Sequence, residues 1–83
     1  MEIKILGMGC PRCDEVMKRT INALAEINVA ADVQKVKDIK EISSYGVLST
    51  PGLVINNTVK AQGRIPSIAE IKEWIQEETK SSF

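Results

Sequence analysis

The apolar pattern of the chain predicts an α/β fold in the order β-α-β-α-β-β-α, a mixed four-stranded sheet flanked by three helices. Three observations carry that prediction. Short apolar runs alternate with segments of helical period in the first half of the chain. Two β-prone runs flank the pair Asn56-Asn57, and a capping box opens a last segment of helical period.

Taken in order, Glu2 to Leu6 reads as a strand with Ile3 and Ile5 on one face and Leu6 on the other, broken by Gly7 and Gly9. From Pro11 to about Ile27 the residues Val16, Met17, Ile21, Leu24 and Ile27 recur at helical spacing, with Glu15, Lys18, Arg19 and Asn22 opposite them. Val29 to Val36 alternates loosely between Asn28 and the charged pair Lys37-Asp38, which suits a second, partly buried strand. Asp38 can cap a short helix that turns Ile39 and Ile42 inward and Lys40 and Glu41 outward, closed by Gly46 after Tyr45.

Leu53-Val54-Ile55 and Thr58-Val59-Lys60-Ala61 then form an antiparallel hairpin, because Asn56 and Asn57 tolerate the positive φ angles of a two-residue turn. Ser67-Ile68-Ala69-Glu70 is the capping box, and Ile68, Ile71, Trp74 and Ile75 keep helical period to about Thr79. Strands alternating with helices early in the chain imply parallel pairing of the first two through a right-handed crossover. The hairpin adds antiparallel edges and the helices cover both faces.

The bulk numbers set limits on partners. A chain of 83 residues with 43% apolar content has the size and composition of one globular domain, residues 1–83. Eleven basic side chains balance eleven acidic ones, with no basic stripe interleaved with aromatics, so nucleic acid is not an expected partner. The apolar runs are too short to span a bilayer, and Met1-Glu2-Ile3-Lys4 has no apolar leader core; a monomer in the cytoplasm without membrane contact is expected. Without a single histidine, the chain has no Cys-His pair, no Ser-His-Asp triad and no imidazole metal ligand.

Its only two cysteines, Cys10 and Cys13, bracket the start of the first helix. Cys10 falls at the N-cap, Pro11 at N1, where its missing N–H is no loss, Arg12 at N2 and Cys13 at N3. First-turn N–H groups and the positive end of the helix dipole then favour the Cys10 thiolate, and Arg12 adds a fixed positive charge. Asp14 and Glu15 oppose this from the same turn, but the N–H groups act at contact distance, so a Cys10 pKa below the free value of about 8.5 is expected. Cys13, one turn further in, should be less exposed. A structural staple is the poorer reading, because so short a loop gains only about 2 kcal/mol from closure.

Cys10-Pro11-Arg12-Cys13, followed by the stretch from Tyr45-Gly46-Val47-Leu48-Ser49 through Thr50-Pro51-Gly52 to Leu53-Val54-Ile55-Asn56, resembles thioredoxins and glutaredoxins. The match is to the minimal thioredoxin-like, glutaredoxin-like redox-active disulfide proteins, over essentially the whole chain. The resemblance implies a thioredoxin-like fold and thiol–disulfide exchange at Cys10 and Cys13, with client disulfide proteins and a dithiol/disulfide reductase as partners and no cofactor. It also implies a cis Thr50–Pro51 peptide beside the cysteines, with Thr50 offering its backbone to a substrate strand. Pro51, Met8, Pro11 and Arg12 would line the same site. A weakly charged rim of Met8, Pro11, Leu48, Pro51 and Leu53 would suit an extended client peptide. The motif departs from the Trp-Cys-Gly-Pro-Cys of typical thioredoxins, and Gly63-Arg64-Ile65-Pro66-Ser67 lacks the paired glycine and acid with which glutaredoxins hold glutathione.

Gly7-Met8-Gly9-Cys10-Pro11-Arg12-Cys13 also resembles the Gly-Met-x-Cys-x-x-Cys loop of heavy-metal-associated domains, which would make the same two cysteines Cu(I) ligands. Those domains run β-α-β-β-α-β and end on a strand, an order that the pattern of this chain does not follow. A four-ligand zinc site lacks donors, so no metal is expected.

Overall fold

The computed structural model describes residues 1–7, 11–47 and 49–80. Among these the elements are β1 (Glu2–Leu6), α1 (Pro11–Glu26), β2 (Asp32–Val36), α2 (Ile39–Ser44), β3 (Gly52–Ile55), β4 (Thr58–Gln62) and α3 (Ile68–Lys80). The strands form one mixed sheet in the order β2-β1-β3-β4. β1 runs parallel to β2, from Glu2 opposite Asp32 to Leu6 opposite Val36, and antiparallel to β3, from Ile3 opposite Ile55 to Leu6 opposite Gly52.

The hairpin therefore does not supply two edges. β3 lies inside the sheet against β1, all four of its residues are buried, and β4 alone forms that edge. Asn56 and Asn57 take φ values of 49° and 66° at the turn, as a two-residue hairpin connection requires. A bulge follows: Leu53 pairs with Ala61 but Val54 with Val59, which leaves Lys60 as the extra residue. Val59 and Ala61 thus pack on opposite faces of the sheet, and Lys60 reaches Glu78 of α3 at 3.3 Å.

β2 begins at Asp32, three residues later than the alternation of Val29 to Val36 predicts. The reason is register. Asp32 is already opposite Glu2, its N–H donates to the Met1 carbonyl at 2.9 Å, and β1 offers no earlier ladder. Residues 29–31 instead leave α1 through Asn28 at φ 55°, with Val29 and Ala31 resting against the core.

The two faces carry separate cores. Under α1 and α3 lie Ile3, Ile5, Leu53, Ile55, Val16, Ala23, Leu24, Ile71 and Ile75; under α2 lie Leu6, Val36, Ile42, Val47 and Val54. α1 buries Thr20 within its sheet-facing stripe, and the hydroxyl donates to the Val16 carbonyl at 2.8 Å, so no polar group is stranded. That stripe excludes Ile21, which is 51% exposed rather than inward. Ile39 is likewise 62% exposed, because a helix of six residues reaches the sheet only through Ile42.

The capping box forms as the sequence predicts. Ser67 Oγ accepts from the Glu70 N–H at 3.2 Å, and Glu70 Oε1 accepts from the Ser67 N–H at 3.1 Å. Arg64 adds a two-pronged contact to the same carboxylate at 3.1 and 2.9 Å while its guanidinium sits 5.8 Å from the centre of the Trp74 ring. Trp74 packs on the α1–α3 core with one side covered in this way. Among the described residues no helix is long and apolar enough to cross a membrane. The observed order differs from the β-α-β-β-α-β of heavy-metal-associated domains.

Candidate functional site

At the C-terminal end of β1 three separate segments converge. Gly7 continues the parallel ladder one step past the strand, its N–H donating to the Val36 carbonyl at 2.9 Å. After residues 8–10 the chain resumes as α1 at Pro11, in keeping with proline at the first helical position. Cys13, the third residue of that helix, is 3% exposed and belongs to the core under α1 and α3. Its sulfur occupies the space where a Gly7 side chain would be: a Cβ built on Gly7 would overlap Cys13 Sγ and come to 3.2 Å from Cys13 Cβ. The Cβ of Thr50 lies 4.0 Å from the same point, so the end of β1, the start of α1 and the loop before β3 meet around one sulfur.

That loop is fastened from behind. The Thr50–Pro51 peptide is cis. The Gly63 N–H, just past β4, donates to both the Pro51 carbonyl at 2.9 Å and the Ser49 carbonyl at 3.1 Å. Gly63 does so at φ 73°, and a Cβ there would stand 3.0 Å from Ser49 Cβ, so a side chain would meet both backbone strain and a neighbour. Gly52 is buried opposite Leu6 and seats the start of β3 on the α2-side core.

Of the residues that the sequence singles out, Cys13 and Thr50 are brought together, and Pro11 and Arg12 lie exposed on the first turn of α1. Met8, Cys10 and Leu48 lie outside the described residues. The expected apolar rim needs correction at two places. Leu53 is fully buried because it points into the α1–α3 core, and the Pro51 ring is buried as well, so neither side chain forms a surface for a client. Tyr45 caps α2 and accepts a hydrogen bond from Lys4 Nζ at 2.9 Å on the α2 face.

The electrostatics of the first turn also differ from the expectation that Asp14 and Glu15 act as bare opposing charges. Lys35, projecting from the edge strand β2, holds Asp14 Oδ1 at 2.5 Å. This hydrogen bond, the Lys35 charge and the further charge of Lys37 keep the Asp14 carboxyl below the ordinary carboxylate range. Glu15 is matched by Arg19 at 3.0 Å, and Arg19 also donates to the Pro66 carbonyl at 3.1 Å. Each carboxylate thus has its own cation. Sequence reasoning missed Lys35 because the partnership depends on which strand flanks β1. It read Gly7 as a strand breaker and as part of the Gly-Met-x-Cys-x-x-Cys resemblance, with no signal that a sulfur would fill the space.

Comparison with known proteins identifies the family. Residues 1–76 match the family model described as "Thioredoxin domain". The chain is 38% identical over 74 residues to a thioredoxin of Methanocaldococcus jannaschii, covering 89% of this chain and 85% of that protein. It is 34% identical over 73 residues to a thioredoxin of Methanothermobacter thermautotrophicus, covering 88% and 95% respectively. The structure of thioredoxin 1 from Thermosipho africanus superposes with a TM-score of 0.66 over 99% of this chain and 98% of that one; at 17% identity this likeness speaks for the fold alone. By the family model and the identity to both methanogen thioredoxins, the chain belongs to the thioredoxin domain family.

Proposed function

We propose that this protein is a thiol–disulfide oxidoreductase or electron carrier that exchanges electrons with disulfides of client proteins through Cys10 and Cys13. The observation that carries the reading is the seat of Cys13. In a chain of the thioredoxin domain family, the second cysteine of Cys-Pro-Arg-Cys is buried at the start of a helix, beside the loop of Thr50 and Pro51.

In the proposed cycle Cys10, favoured as thiolate by the helix start and by Arg12, attacks one sulfur of a client disulfide. One client sulfur leaves as thiolate, and the other stays bonded to Cys10. Cys13 then gives up its proton and attacks the Cys10 sulfur, forming the Cys10–Cys13 bond and releasing the second client sulfur. Two protein thiols are oxidised and one client disulfide is reduced. An upstream dithiol donor restores the pair by the reverse steps. Pro11 and Arg12 face the client from the helix, and Thr50, set by Pro51, offers backbone to an extended segment. No cofactor takes part, and a cytoplasmic, monomeric single domain that engages neither nucleic acid nor membrane suits the role.

The test is reduction of a protein disulfide with dithiothreitol as electron source. Wild-type protein should accelerate it and Cys10→Ser should abolish the acceleration; reduced Cys13→Ser, freed of dithiothreitol before it meets the client, should hold one client per chain as a mixed disulfide. A protein that never equilibrates with a dithiol redox buffer, or whose two cysteines take up Cu(I) stoichiometrically and resist oxidation, would refute the proposal in favour of metal binding.

A further inference from the structure

We infer that Gly7 is the positioning residue for the Cys13 sulfur: the side chain missing at the end of β1 is the seat in which the resolving thiol is held. The inference rests on the exchange reading above and specifies how its second step is prepared.

Glycine is used here for space and not for conformation. Gly46 and Gly63 adopt positive φ, which explains glycine at those positions, but Gly7 does not. What a side chain at Gly7 would meet is the Cys13 sulfur itself, with the Cys13 Cβ at 3.2 Å behind it. Neither backbone can easily withdraw. Gly7 is tied to Val36 through the sheet, and Cys13 stands in the first turn of α1, three residues before the buried Val16. The movable part is the sulfur, by rotation about one bond. Any residue larger than glycine at position 7 therefore expels the sulfur from the place that it occupies at 3% exposure.

Such a seat has a chemical consequence. A sulfur kept out of solvent does not meet an external disulfide, whereas a mixed disulfide on Cys10, three residues earlier in the chain, is delivered to it. Resolution then has the advantage of a fixed intramolecular partner, an advantage that misplacement by about 1 Å can lower by as much as a hundredfold.

The experiment is stopped-flow reaction of the reduced protein with limiting 5,5′-dithiobis(2-nitrobenzoic acid), so that the second release from each reagent molecule reports attack within the mixed disulfide. Attack by Cys10 breaks the aromatic disulfide and releases one thionitrobenzoate; attack by Cys13 on the mixed disulfide releases the second and closes the protein disulfide. In Gly7→Ala the first release should stay within about twofold of wild type, and the second should slow by about tenfold or more. In a Cys10→Ser background the same substitution should speed alkylation of Cys13 by iodoacetamide. Ile42→Val, which loosens the other core, serves as control for simple destabilisation and should alter neither readout. Unchanged second release in Gly7→Ala, or an equal change in the control, overturns the inference. Should Gly7→Ala not fold, the pair Gly7→Ala and Cys13→Ala decides: recovery of folding once the sulfur is removed supports the seat, and continued failure overturns it. A wild-type protein that releases fewer than two equivalents per reagent molecule refutes the exchange reading itself, whatever Gly7 does.

Discussion

The two ends of the sheet are turned by different physics. At the end away from the cysteines, Asn28, Asn56 and Asn57 each supply a positive φ from their own side-chain chemistry. Asn56 locks that end by accepting the Glu2 N–H at 3.0 Å and donating its own N–H to the Glu2 carbonyl at 2.8 Å. At the cysteine end the decisive residues are glycines whose partners are distant in sequence: Gly7 against Cys13 and Thr50, and Gly63 behind Ser49 and Pro51. At the first end each turn conformation is set by its own asparagine, and the Asn56–Glu2 pair then ties the hairpin turn to β1. At the other end Gly7 meets Cys13 and Thr50, and Gly63 holds Ser49 and Pro51 from behind.

The sharpest way to break that contrast is to place alanine at a positive φ at each end. Gly63→Ala must pay for positive φ and for a Cβ at 3.0 Å from Ser49, and should lose about 2–3 kcal/mol in urea unfolding. Asn57→Ala meets only the backbone term and should lose about 1 kcal/mol. Ser49→Gly, which removes the neighbouring Cβ, should recover part of the Gly63→Ala loss and none of the Asn57→Ala loss. Equal losses at both positions would mean that the cysteine end is no less local than the other.

This contrast also governs what could be read in advance. The element order, the Asn-Asn turn, the Asp38 cap and the Ser67–Glu70 box rest on residues within a few positions of each other, and each forms as its local sequence requires. Errors fall where a partner from elsewhere sets the answer. The start of β2 follows the register of β1, the burial of Leu53 follows its place inside the sheet opposite Ile5, and the exposure of Ile21 follows the stripe that Thr20 and Ala23 complete. At the site, the Cys-Pro-Arg-Cys and Thr-Pro steps were legible as motifs. Gly7 and Lys35 were not, since a vacant Cβ and an ion pair between a helix and an edge strand leave no pattern in one chain.

A locally built feature near the cysteine end refines the comparison, because it should respond to pH as its own residues dictate. Glu70 binds Arg64 and the Ser67 N–H, and these contacts push its carboxyl down to about 2 from 4.5. A depressed carboxylate contributes stability in full above the unfolded value, so the contribution is complete above about pH 4.5 and is lost as pH falls through about 2. The melting temperature of wild type should therefore exceed that of Glu70→Gln at pH 7 by a margin that shrinks below pH 4.5 and vanishes near pH 2. A margin that is constant with pH would remove the charge from the account of this cap.

The smallest effect concerns charge imported to the cysteine end from β2. Asp14 directly follows Cys13, and Lys35 covers its carboxylate at 2.5 Å. Both partners are largely exposed, so solvent screens the pair and a modest effect is expected. With Lys35→Gln, Asp14 loses the cation that offsets it, and the thiolate fraction of the dithiol at neutral pH should fall about two- to threefold by absorbance at 240 nm, the size of one unscreened charge within a helical turn or two. Asp14→Asn should raise that fraction by a similar factor. The double variant should return near wild type, because the two charges act on the sulfurs with opposite sign. High salt should erase both single-variant differences, whereas the stability gap at Gly63, which is steric, should persist. A double variant that keeps the Asp14→Asn increase would mean instead that Lys35 acts only by compensating Asp14 and has no action of its own on the thiols.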